Sequence, residues 1–141
     1  MSEHREWTAS GYTVSTDPAR VDLDTVVGFL SSSYWAEGRP HDVQAAANGG
    51  SRCYSVLDDD GRQVGFARAV TDGATFAYVA DVFVVPEHRG RGLGTLLVRC
   101  VMDDLAPVER VMLGTRDAHG LYAKVGFVPV AAPERWMERL R

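Results

Sequence analysis

The 141-residue chain is expected to fold as an α/β domain on a mixed, mostly antiparallel sheet of six to seven strands with helices on both faces. Three features predict this. Alternating runs at 53–57, 63–71 and 75–85 are joined by the turn sequences "DDDG" and Asp72-Gly73, which signals two successive hairpins. Segments following Asp22 and Gly92 carry apolar residues at helical spacing. A strand, helix, strand order after the hairpins then calls for a crossover between parallel strands.

The elements follow in order. The first ten residues are polar and expected to be flexible, and 12–16 alternates as a short strand closed by Asp17-Pro18. Asp22 or Asp24 caps a helix whose apolar residues Leu23, Val26, Val27 and Leu30 share one face, and the serine run 31–33 ends it. Gly38 and Pro40 break the pattern before a second helix over 41–48, stopped by "NGG". The three hairpin strands come next, with Gly61 at a turn position that needs positive φ and Pro86 ending the third strand. Leu93, Leu96, Leu97, Cys100, Val101 and Leu105 form the inner face of a long helix; 111–113 reads as a short strand, 119–124 as a helix closed by Gly126, and 127–130 with 136–139 as a final strand pair. The expected order is β-α-α-β-β-β-α-β-α-β-β, in one domain over 1–141.

Composition narrows the class. A hydrophobic share of 45% and a charged share of 24% are those of an ordinary globular chain. The net charge of −4 gives no basic excess for nucleic acid or an anionic membrane, so neither partner is expected. Without a run of about 20 apolar residues or a secretion signal, the expected location is cytoplasmic. The two cysteines, Cys53 and Cys100, stand in apolar patterns with no metal-ligand spacing, so reduced core thiols and no metal are expected.

The chemistry concentrates in "EHRGRGLGTLLV" over 87–98. A helix amino terminus leaves backbone N–H groups without partners and carries the equivalent of about half a positive charge, which favours an anion. Gly90, Gly92 and Gly94 let consecutive N–H groups approach a phosphate, and Arg89 and Arg91 add charge. The spacing is neither G-x-G-x-x-G nor a P-loop, which would also need Lys.

Arg89-Gly90-Arg91-Gly92-Leu93-Gly94, preceded by "DVFVVPEH", together with "LYAKVGF" over 121–127, resembles the GCN5-related N-acetyltransferase (GNAT) family. The resemblance covers nearly the whole chain, because the family shows the same order of elements and the same distance between the two blocks. It implies an acetyl-CoA-dependent transfer of an acetyl group to a primary amine of a small or amino-acid-like acceptor, by direct attack in a ternary complex. Phe83, Val84, Val85, the 89–94 loop and Thr95 would then hold acetyl-CoA, with Thr115 where many members have an asparagine on the pantetheine arm. The strand ending at Val85 would carry a bulge, and an amide there would polarise the thioester carbonyl. Tyr122 matches the family's proton donor.

For the base, Asp81 leads, because alternation puts it on the face of Phe83; Asp117, His119 and Glu37 are alternatives. Tyr34, Trp35 and Arg39 stand where the family's acceptor groove lies, the aromatics suited to stacking and Arg39 to a carboxylate. Arg68 and Tyr78, on the hairpin strands, are open between site and scaffold. Two further classes stay in view, an acyl-CoA-binding sensor without turnover and a protein or peptide N-acetyltransferase. A homodimer is a common arrangement for such domains.

Overall fold

The computed structural model describes residues 3–141. Six strands lie in the order β1 to β6: β1 (Glu6–Ala9), β2 (Tyr12–Ser15), β3 (Arg52–Leu57), β4 (Gln63–Thr71), β5 (Phe76–Val84) and β6 (Arg110–Met112). Every neighbouring pair is antiparallel except β5 with β6. The helices are α1 (Leu23–Leu30), α2 (His41–Gly49), α3 (Leu93–Asp104) and α4 (His119–Ala123). No helix among the described residues is long and apolar enough to cross a membrane.

Two cores sit on opposite faces of the sheet, as a period-2 strand with both faces covered requires. Leu93, Leu97, Cys100 and Val101 of α3 pack on Tyr54, Ala67, Ala69, Ala77 and Val79. Val26 and Leu30 of α1, with Ala36, pack on Cys53, Phe66 and Phe83. The α1 cap falls on Asp22, whose side chain accepts from the Thr25 N–H at 3.2 Å. Both cysteines are buried and free, and burial pushes each thiol up to about 11, so both stay protonated near neutrality.

Two expectations are corrected. The flexible amino-terminal decapeptide instead contains β1, paired with β2 across Ser10-Gly11 at φ 53° and 84°. Two successive positive φ values make the tight hairpin turn whose twist suits the flanking strands. The rest of that expectation, Met1 and Ser2, lies outside the described residues. The closing strand pair does not form: 127–130 and 136–139 run without strand pairing, separated by a turn of 3₁₀ helix at Pro133–Arg135. Pro129 has no N–H to give a ladder, and Pro133 cuts the segment again. The sheet therefore ends at β6.

Between α3 and the amino-terminal strands lies a buried ion pair. Asp104, with 3% of its side chain exposed, accepts from Arg52 Nε, from Arg52 Nη2 at 3.1 Å, from Arg5 Nη1 at 3.3 Å and from the Tyr54 hydroxyl at 2.6 Å. Burial alone would raise the pKa of this carboxyl, but the hydrogen bonds from Arg52 and Tyr54 and the charge of Arg52 hold it below the usual carboxylate range. A folded-state pKa below the unfolded one contributes stability at pH values above about 4, and this is lost as pH falls through the folded value. Asp104→Ala should therefore cost about 3 to 5 kcal/mol, the usual loss on orphaning a buried charge. Urea unfolding at pH 7 checks this, and the difference between wild type and variant should shrink as the pH is taken below 4.

Candidate active site

The site begins with a register fault. Phe66 pairs with Phe83 and Arg68 with Ala80, so Ala67 stands opposite two residues, Asp81 and Val82, and β5 bulges there. Asp81 takes φ 55°, a left-handed conformation that non-glycine residues seldom adopt. The parallel pairing of β5 with β6 ends at Tyr78 and Met112. From Val79 to Val84 the edge of β5 turned toward β6 has no strand partner among the described residues, and the gap becomes two cavities.

The first, about 450 Å³, is lined by the end of β5 (Val82, Phe83, Val84), by Phe29 of α1, and by Arg89, Gly90, Gly92, Leu93, Gly94 and Thr95. Gly92 caps α3 with φ 75° and no side-chain bond, so the first-turn amides of Leu93, Gly94 and Thr95, residues that line this cavity, carry no side-chain cap. The chemistry of this donor set, aligned N–H groups with a guanidinium beside them, fits a pyrophosphate. Arg89 donates from Nε to the Val84 carbonyl at 3.0 Å and lies 5.9 Å from the Phe29 ring centre, which holds it on this wall.

Not every residue expected here arrives. Arg91 turns away, giving Nη1 to the Tyr12 hydroxyl at 2.7 Å, an oxygen that also lies 2.8 Å from His88 Nδ1. Val85 gives its N–H to Val64 at 2.8 Å and packs in the core. Thr115 lines the second cavity, where its hydroxyl accepts from the Ala118 N–H at 3.0 Å.

That second cavity, about 560 Å³, lies between β5 and the 113–118 segment and is walled by Tyr34, Trp35 and Tyr78. Asp117 lines it with an exposed side chain, while Glu37 and His119 are exposed and lie outside it. Four residues line both cavities: Trp35, Val82, Ala118 and Tyr122. Tyr122 is buried on α4 with its ring edge-on to Phe127 at 5.8 Å, and burial, with a smaller contribution from Tyr34, raises its pKa. Its hydroxyl is therefore protonated near neutrality.

The bulge interrupts the alternation of β5, and the Asp81 carboxylate reaches α2 and the loop before it, where its oxygens are taken. They accept from Arg68 Nε at 2.6 Å, Arg39 Nη1 at 3.0 Å, Gln44 Nε2 at 3.2 Å and the Trp35 indole N–H at 3.0 Å. Only 1% of the side chain is exposed. Burial alone would raise this pKa, yet the bond and charge of Arg68, the Gln44 bond and the charge of Arg39 lower it. Arg39, expected to meet an acceptor, instead meets Asp81 and Gln44. Gln44 and Phe29 also belong to the site and carry little signal in the sequence; a glutamine at an inner position of α2, 1% exposed, is the signal for the first.

Comparison with known proteins agrees with this fold. The family model for the acetyltransferase (GNAT) domain matches residues 50–129. A protein of Gibberella zeae assigned as an acetyltransferase is 32% identical over 88% of this chain and 82% of its own length. The solved structure of a Xanthomonas campestris pv. campestris protein assigned to the GNAT family is 44% identical, with TM-score 0.89 over 95% of this chain and 96% of that one. Spermidine N-acetyltransferase from Vibrio cholerae, solved with CoA and spermine, shares the fold at 19% identity and TM-score 0.68, over 85% of this chain and 82% of its own.

A Cβ added at Gly92 meets no atom within 4 Å, so substitution there is opposed by backbone conformation alone. Gly92→Val should lower the unfolding free energy by about 1 to 2 kcal/mol. Gly92→Asn, which tolerates the left-handed region, should recover most of it, as read from paired thermal melts.

Proposed function

This chain belongs to the GNAT family of acetyltransferases, and from that premise we propose that it transfers the acetyl group of acetyl-CoA to a primary amine of a small molecule, by direct attack in a ternary complex. The observation that carries this reading is the meeting of the two cavities at Tyr122. A donor on one side and an acceptor on the other would then reach the same phenol.

Acetyl-CoA, when bound, supplies the activated acyl group. Leu93, Gly94 and Thr95 would hold its pyrophosphate with backbone N–H groups, helped by the charge of Arg89 and the α3 dipole. The unpaired edge of β5 from Val82 to Val84 offers backbone N–H and C=O groups to an extended arm, much as a sheet edge accepts a strand. Tyr122 gives the proton from its hydroxyl to the departing thiolate, a role that suits a phenol kept protonated by burial. Support for the donor comes from a neighbour of the same fold solved with CoA.

The base expected at Asp81 is reassigned. A carboxylate held below its usual pKa and facing four donors is a weak proton acceptor, so Asp81 is a positioning residue for Trp35, Arg39 and Arg68. An acceptor ammonium would lose its proton at the open side of the cavity, where Asp117 is the carboxylate with exposed oxygens.

Thiol release from acetyl-CoA against a panel of primary amines tests the reading; turnover with none of them would overturn it. Tyr122→Phe should lower kcat at least about tenfold with the acetyl-CoA affinity nearly unchanged, since one hydroxyl is lost. Wild-type kcat in that variant would remove Tyr122 from the mechanism. Asp81→Asn should lower kcat/KM by a similar factor at every pH from 5 to 9, leaving the shape of the profile intact. Loss of its acidic limb would restore Asp81 as the base.

A further inference from the structure

Three large aromatic side chains on the acceptor cavity are exposed to an unusual degree: Tyr34 at 48%, Trp35 at 40% and Tyr78 at 44%. Two of them are also fixed in place. The Tyr34 hydroxyl accepts from the Arg116 backbone N–H at 3.1 Å, and the Arg116 guanidinium lies 3.8 Å from the centre of the Tyr34 ring. Tyr34 meets Trp35 edge-on at 5.1 Å, and Trp35 is tied to Asp81. A wall whose rings are held before anything binds loses little conformational entropy on stacking.

The charge around that wall is balanced. Asp81 is enclosed by Arg39 and Arg68. Arg116 and Asp117 lie 3.8 Å apart at the rim, both largely exposed. The cavity thus has no surplus of carboxylates for a polycation and no unengaged cation for a phosphate, while four aromatic rings, counting Tyr122, border it. Its volume of about 560 Å³ falls in the range of small-molecule sites.

On the acetyltransferase reading, we infer that the acceptor is a primary amine carried on an aromatic body, its ring seated against Tyr34, Trp35 and Tyr78 and its nitrogen turned to Tyr122. Selection rests on stacking and apolar contact rather than on ion pairing.

The test is a thiol-release comparison of 2-phenylethylamine and tryptamine with spermidine and glucosamine 6-phosphate, on wild type, Trp35→Ala, Trp35→Phe and Tyr78→Ala. The aromatic amines should show kcat/KM at least about tenfold above the other two. Trp35→Ala should raise their KM about tenfold, and Trp35→Phe should restore most of it. Tyr78→Ala, outside the Asp81 network, should act in the same direction on KM. A preference for spermidine or the sugar phosphate, or an unchanged KM in both alanine variants, overturns the acceptor class and leaves the acetyltransferase reading standing. No turnover with any amine overturns both.

Discussion

A carboxylate closed off from water at a left-handed backbone position is sustained only by donors that converge on it, and Asp81 has them from β4, from α2 and from the loop between α1 and α2. Without that convergence the bulge would bury an unpaired charge, at a cost of several kcal/mol. With it, β5 departs from regular pairing at the point where the sheet must open. The unpaired edge beyond Tyr78, the two cavities and the placement of Trp35 all depend on this arrangement. The same bonds fasten the loop carrying Tyr34 and Trp35, so the acceptor wall and the bulge stand or fall together.

On the opposite face Asp104 does corresponding work for the scaffold. Its bonds to Arg52, Arg5 and Tyr54 join the end of α3 to β3 and to the residues leading into β1, which locks the far end of the helix whose first turn lines the first cavity. A helix end that lines a ligand cavity gains little from flexibility, because preorganised dipoles act without reorganisation when a ligand arrives. Two buried carboxylates, one on each face, thus hold the rigid parts of the site. Neither has an oxygen to spare for chemistry.

What the sequence discloses of this follows from distance along the chain. The glycine loop, the end of β5 and the start of α3 are contiguous over 83–95, and the residue types needed for a left-handed turn or an apolar helix face leave local patterns. Hence Gly92, α3 and the hairpins are legible. Arg91 is the exception, because a side chain next to a glycine can point either way, and its partner Tyr12 is 79 residues distant. The partners of Asp81 lie 13 to 46 residues from it, so nothing local says whether its charge is free or consumed. The final strands fail for a local reason, the two prolines set against four-residue runs.

The acceptor side is the harder half to read for the same reason. Its wall is assembled from the 34–35 loop, β5 and the 113–118 segment, joined by contacts such as the 82-residue span from Tyr34 to Arg116. Composition alone would count Arg39, Arg68, Arg116, Asp81 and Asp117 as a polar site. Geometry pairs those charges with one another and leaves the aromatic faces as the surface a ligand would meet. An acceptor that stacked on Tyr34 would lie beside the Arg116 guanidinium, 3.8 Å from that ring, and a like charge so placed favours the neutral, nucleophilic amine over its ammonium.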